Sequence, residues 1–548
     1  MAWRLQSKPR TVRQAPKTKW GLGTCPQQGP GAEPLAFFEK VGGKVFVRHG
    51  LSTACLATAL SGCAVGPDFH VPPAPHLRGY TESPLPASTI AVAAKGGGAQ
   101  HFAVGRDVAG AWWELFRSPR LTGLVVTALA RNPSLEASRQ TLRQAQETAL
   151  AAEGSFFPQV QAQGNRIRQQ ISPAESGLSS ATAGFAAFPP FTVYTGQLNI
   201  SYTFDVWGLT RRTVEADQAQ AESQRFQLEG AANVLAANTA NAAINAAALE
   251  AEIDAENKLI AAEQRLLATV RRQFAVGAAT GTDVATQETQ LANTQALVVP
   301  LQTQLVQTRD QLAAYLGRAP SEADIPPITL DELTLPGELP VSLSSQLVGQ
   351  RPDIRAAQAQ LHAATAQVGV AVANRLPQFT LSGFIGSAPS QFNELFTPGN
   401  GIWGITSQIL GPVFEGGTLL HQQRAAVAAM KSSAANYQNV VILAFQNVAD
   451  ALTAVTQDAR ALQANQTAAS AADRSLKLAQ LQYGAGGVAY PVVLQAQTQY
   501  QTAVVNLIKA EAARYTDTVA LFAALGGGWW NRAAIAPAPE PLLRSLLP

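Results

Sequence analysis

The one residue whose neighbours prescribe a covalent reaction is Cys63. It closes Leu60-Ser61-Gly62-Cys63, behind an apolar run from Leu51 to Leu60 and the basic Arg48. A positive segment, a short apolar segment and small residues before the cut form an export signal, and a cysteine at the cut is a site for acylation. The expected cofactor is therefore none beyond a covalent lipid on Cys63. Cys25 and Cys55 lie upstream of the cut, so the mature chain can form no disulfide. One acyl chain holds a protein to a membrane only marginally, so the lipid is expected as one anchor among others. The residues before Arg48 are too many for an ordinary signal, and translation is expected to begin near Val41, Val45 or Val47, making 1–62 an over-long signal region.

No other residues carry the spacing of a reactive site. The six histidines, His49, His70, His76, His101, His362 and His421, have no ligand spacing, and HExxH, CxxC and GxSxG are absent. "VGAATGT" lacks the lysine of a phosphate loop, and Glu215 and Asp217 fit solvated helix charges better than an acid and base pair. Catalytic residues: none; metal ligands: none; the chain is not expected to be an enzyme. The net charge of +3 divides into nine Lys/Arg against Glu33 and Glu39 in residues 1–50, a local +7, and about −4 elsewhere, which argues against nucleic acid as a partner. With 47% hydrophobic residues and 14% charged, the chain can bury a sizeable core. No uninterrupted apolar run reaches the roughly 18 residues of a spanning helix, so any insertion must use strands or lipid.

The chain contains one unit twice. "RNPSLEASRQTLRQAQETALAAEGSFFPQVQAQG" (131–164) lies over "QRPDIRAAQAQLHAATAQVGVAVANRLPQFTLSG" (350–383), matching Pro133/Pro352, Ala137/Ala356, Leu142/Leu361, Pro158/Pro377 and Gly164/Gly383 at an offset of 219. "QFAVGAATGTDVATQETQ" (273–290) lies over "QYGAGGVAYPVVLQAQTQ" (482–499) at an offset of 209. A loss of ten residues between these points, placed in the Gly/Pro/Ser-rich loops, reconciles the two offsets.

Each unit predicts the same order of elements. A helix near 134–157 or 353–376 ends at Pro158 or Pro377, because proline cannot continue a helix. Two strand-like runs follow, and in "QLNISYTF" the apolar Leu198, Ile200, Tyr202 and Phe204 alternate with polar residues, as a strand with one apolar and one wet face requires. After Gly208 and Gly417 come very long Ala/Gln-rich helices to turns at Gly277 and Gly486. Return helices from about Thr282 to Leu316 and Val492 to Leu525 follow. Val284, Leu291, Val298, Leu305 and Leu312 recur every seven residues, as do Ile253, Ile260, Leu267 and Phe274, which predicts coiled-coil packing. Pro300 predicts a kink that its counterpart Lys509 does not. The opening and return helices, stacked end to end, match one long helix in length. Two units supply four strands, too few for a closed barrel, and strands in lipid cannot keep open edges, so chains must associate.

These residues resemble the outer membrane factor family, the TolC-like exit ducts, and within it the OprM-like lipoprotein branch. The resemblance rests on "GCAVGPDF" (62–69), "WWELFRSPRLTGLVVTALARNPSL" (112–135), "SYTFDVWGLTRRTVEA" (201–216), "QRPDI" (350–354) and the paired turns. It implies a mixed α and β membrane protein: a trimeric twelve-stranded outer-membrane β-barrel, four strands per chain, continuous with a long periplasmic α-barrel. The implied divisions are an N-terminal lipoprotein and equatorial segment (63–111), a first repeat (112–317), an equatorial linker (318–350), a second repeat (351–526) and a tail (527–548). The implied partners are a homotrimer, a periplasmic adaptor protein, an inner-membrane pump of the resistance-nodulation-division type and outer-membrane lipid. The implied function is an efflux exit duct lodged in the outer membrane of a Gram-negative bacterium, lipid-anchored and reaching into the periplasm.

The same resemblance places adaptor-contact tips at Gly277, Ala278, Thr280, Gly281, Asp283, Gly486, Gly487 and Tyr490. It makes Arg271, Arg272, Asp283 and Glu288 the candidate gate, although each also fits a solvated helix charge. Residues 488–516 hold no aspartate and only Glu511 as an acid, which speaks against an acidic ring there. Two other readings stay open: a duct for protein secretion, and a structural coiled-coil lipoprotein of the envelope.

Overall fold

The computed structural model describes residues 64–75, 79–172 and 189–533. Cys63, the signal region, most of the first long loop and the end of the tail lie outside them. In chain order the main elements are β1 (His101–Val104), α1 (Pro119–Arg131), α2 (Pro133–Glu153), β2 (Gln159–Gln169), β3 (Phe191–Phe204), α3 (Leu209–Ala275) and α4 (Gly281–Tyr315). The second half continues with β4 (Glu338–Val341), α5 (Ser344–Gln350), α6 (Pro352–Ala373), β5 (Gln378–Ser387), β6 (Gly401–Leu410), α7 (Thr418–Gly484) and α8 (Tyr490–Ala524).

The duplication is structural. α3 and α7 both have 67 residues, about 100 Å at 1.5 Å per residue, and α4 and α8 both have 35. The ten-residue difference lies only partly in the loops, because β3 has 14 residues and its counterpart β6 has 10. α4 runs unbroken through Pro300.

α2 stacks on the end of α4. Asn132 caps α2 by accepting from the backbone N–H groups of Ser134 and Leu135, and its amide donates to the Tyr315 carbonyl at 3.0 Å. Arg351, 219 residues later, donates to the Ala524 carbonyl at 2.8 Å, joining α6 to α8 in the same way. Two helices of each repeat thus form one composite rod alongside a long helix.

The sheet runs β2-β3-β5-β6, all antiparallel, with β2 and β6 as open edges. The register sorts its faces. Ala162, Leu198, Ile385 and Trp403 align across the four strands, as do Val160, Ile200, Gly383 and Ile405. Leu198, Ile200, Ile385, Trp403 and Ile405 are all exposed. On the other face Gln163, Gln197 and Asn199 hydrogen-bond to one another, and Thr203 pairs with Thr380. A sheet with one apolar and one wet face, and unpaired edges, is a segment of a barrel wall.

A belt segment packs against the helices partway along their length. β1 pairs in parallel with β4. Buried Arg514 on α8 donates to Gln100 Oε1 at 2.8 Å and to the Gly98 carbonyl, while Gln100 donates to Thr518. Trp112, Phe116, Tyr515 and Phe522 pack edge to face or tilted beneath it, with Trp112, Phe116 and Phe522 fully buried. Among the described residues one helix, α7, is long and apolar enough to cross a membrane by length and composition alone, which leaves the expectation of insertion by strands or lipid standing. That expectation counted uninterrupted apolar runs, and this Ala-rich helix interrupts its apolar residues with scattered polar ones.

Candidate functional site

The two helical hairpins turn bond for bond alike. Gly277 N donates to Phe274 O and Ala278 N to Gln273 O, at 3.0 and 2.8 Å. Gly486 N donates to Tyr483 O and Gly487 N to Gln482 O, at the same 3.0 and 2.8 Å. Gly277 (φ 75°) and Gly486 (φ 73°) occupy the left-handed region, which only glycine enters freely. After the first turn, Thr280 and Asp283 form a capping box: Asp283 N donates to Thr280 Oγ1, and Thr280 N to Asp283 Oδ2. Gly281 begins the return helix. Phe274, Val276 and Leu481 stand exposed around these turns, so the tips present apolar surface to solvent.

The four candidate gate charges do not form one network. Arg271 donates to Glu288 at 2.6 Å across the first hairpin, both exposed. Arg272 reaches Thr269 Oγ1, and Asp283 is spent on its cap.

A different set of residues ties the hairpins together. Tyr490, only 3% exposed, donates its hydroxyl to Gln287 of the first hairpin. Tyr483 donates to Gln273 at 3.0 Å, and the two tyrosine rings meet edge to face at 5.5 Å. Farther up, Gln497 on α8 and Thr294 on α4 both reach Glu263 Oε1, at 2.6 and 3.0 Å. Gln501 donates to Glu256 at 2.7 Å, and Lys509 lies 3.9 Å from Glu252. Tyr490, Gln497 and Gln501 thus form a polar ladder from α8 onto the first hairpin. Glu252, Glu256 and Glu263 are all buried, and burial pushes each carboxyl above its ordinary value. The Tyr490 hydroxyl is pushed up for the same reason.

The ladder corrects the sequence phasing. The buried face of α3 runs Glu252, Glu256, Leu259, Glu263, Leu267 and Val270, whereas Ile253 and Ile260 are half-buried and Phe274 is exposed. On α4 the predicted Val298 and Leu312 are buried, but Gln287 and Thr294 fill the alternating positions between apolar ones. A search for apolar heptads passes over seam positions held by Glu, Gln and Thr. The signal that could have found them is a polar residue three or four places from each apolar one.

Glu215 is likewise not a solvated charge. It bridges Arg212 at 2.8 Å and His362 at 2.9 Å. Asp217 beside it is half-buried, with its carboxyl pushed up by desolvation.

A four-stranded barrel segment, duplicated hairpins of 100 Å helices and a waist belt together define a class: the chain belongs to the outer membrane efflux protein family, whose model matches residues 124–318 and 343–527. It is an outer-membrane exit duct with the fold of the trimeric TolC-like channels, four strands of a twelve-stranded barrel per chain. Among its relatives is the toluene efflux pump outer membrane protein TtgF of Pseudomonas putida, 30% identical over 495 residues that cover 88% of this chain and 97% of that protein. Among solved structures, the outer membrane protein VceC of Vibrio cholerae is 26% identical with a TM-score of 0.70, covering 77% of this chain and 100% of its own. The CmeC outer membrane channel of Campylobacter jejuni is 19% identical with a TM-score of 0.76, covering 88% and 98%.

Proposed function

We propose that the duct carries small apolar organic molecules, that an adaptor docks on the two helical tips, and that the polar ladder between α8 and the first hairpin is the closed gate. Three copies complete the barrel, an inner-membrane pump of the resistance-nodulation-division type supplies the drive, and Cys63 carries lipid. The chain adds no catalytic step of its own. The observation that carries the gate is the position of Tyr490, buried against Gln287 where the two hairpins meet. The exposed Phe274, Val276 and Leu481 support the tips as a docking surface. The cargo reading draws on relatives named for toluene and antibiotic efflux.

Glu, Gln and Tyr at a seam suit a moving contact. An apolar seam would lose its full burial energy on opening, about 25 cal/mol per Å². A polar seam exchanges its hydrogen bonds for water at a net cost of only about 1 kcal/mol each. An adaptor needs only modest differential affinity to shift such an equilibrium.

The test is a clean deletion strain challenged with solvents, antibiotics, dyes and metal salts, its secreted proteins profiled in parallel. Hypersensitivity to apolar compounds, reversed by the wild-type gene, is the expected result. An unchanged panel with missing secreted proteins overturns the cargo reading and favours protein export.

A further inference from the structure

The residues that follow Cys63 sit in a slot built for them. Val65 N donates to the Trp207 carbonyl at 3.0 Å, where β3 gives way to α3. Arg212, one turn into α3 and 5% exposed, reaches three partners on this path: Val65 O at 3.2 Å through Nε, Asp68 Oδ1 at 2.6 Å through Nη2, and Glu215 Oε2 at 2.8 Å through Nη1. Glu215 in turn meets His362 on α6, and the His362 ring stacks on Phe69 at 4.4 Å with the planes 16° apart.

The floor of the slot lacks side chains. A Cβ on Gly66 would lie 2.4 Å from the Gly369 Cα, and one on Gly369 would lie 2.8 Å from Arg212 Cγ and 2.9 Å from Val65 O. Backbone therefore packs on backbone, a contact that any larger residue at 66 or 369 would break.

We infer that Arg212, Glu215, His362 and Gly369 form a docking slot for residues 64–69, and that this slot fixes the start of the mature chain at the junction of barrel and helices. The inference rests on the proposed lipidation for its consequence: an acyl group on Cys63 is then delivered beside the end of β3, within reach of the membrane that the strands cross. The anchor and the barrel behave as one body. A fixed arginine suits this task, since its planar fork aims three separate nitrogens at a carbonyl and two carboxylates, whereas an ammonium would have to reach all three from one nitrogen.

The test is limited chymotrypsin digestion of trimers extracted from outer membranes, following by mass spectrometry the cut after Phe69 in wild type, Arg212→Ala and Gly66→Val. Both variants should be cut there at least about tenfold faster, as expected for a segment whose local opening is no longer opposed. Gly66→Val changes only the docked segment, so it decides the question should Arg212→Ala fail to assemble. Equal cutting of wild type and Gly66→Val overturns the slot. The mass of the released N-terminal peptide separately reports the lipid: an unmodified Cys63 would remove the lipidation reading and leave the slot standing.

Discussion

Asn132 donates its side-chain amide to the carbonyl of Tyr315, 183 residues away in sequence, closing the gap between two helices. The second repeat makes the same closure with Arg351 on Ala524, at positions 219 and 209 residues later. One joint has therefore kept its place while its chemistry changed from an amide to a guanidinium.

Truncating the two joints should cost unequal amounts. Asn132→Ala removes a helix cap and should lower stability by about 1 kcal/mol. Arg351→Ala should cost more, because it removes a buried guanidinium that also bonds Asp353 and the Ala444 carbonyl. The denaturant midpoints of the detergent-solubilised protein check the order; equal midpoints would contradict it.

Tyr490→Phe should raise the open fraction of the duct. The change deletes one hydroxyl and strands the buried Gln287 acceptor, a penalty of about 1–3 kcal/mol on the closed state alone. Single-channel conductance in planar bilayers reads this directly. Arg271→Ala, which breaks an exposed pair, should move the same measurement far less.

Glu263 should make closure depend on pH. Burial raises its carboxyl in the packed state, with Glu256 adding like charge and Thr294, Gln290 and Gln497 opposing the rise. A raised value means the closed state binds the proton more tightly. Closure is favoured in full below the ordinary carboxylate value of about 4.3, and that contribution fades as pH climbs through the raised value. Conductance should increase with pH over that span in wild type and stay flatter in Glu263→Gln.

Asp458 should give a second pH dependence, in stability. Burial, then the neighbouring Asp517 carboxyl, pushes Asp458 up to about 7, against the pull of Arg514. The folded state holds the Asp458 proton more tightly, so this contribution to stability is present in full below about 4 and is lost as pH rises through about 7. Melting temperatures at pH 5 and pH 8 should differ in wild type, and the gap should narrow in Asp458→Asn.

Much of the fold was legible because duplication and periodicity are properties of the chain itself. Pro158 and Pro377 stop helices, Gly277 and Gly486 make turns, and Leu198 to Phe204 alternate, whatever surrounds them. The seam was not legible, since Glu263, Gln287 and Gln497 resemble surface residues until a third helix covers them. Arg212 was hidden for the same reason: nothing near position 212 announces that Val65 and Asp68 will return to it.

The belt has a consequence for the order of folding. β1 meets β4 across 237 residues, and Gln100 meets Thr518 across 418. Contacts so remote in sequence form slowly, because the chain between their ends must be restrained before any bond rewards it. Gln100 has no Thr518 to meet until nearly the whole second repeat exists. A half-made chain can zip its first hairpin but cannot fasten its waist, so a fastened waist marks a chain synthesised nearly to its end.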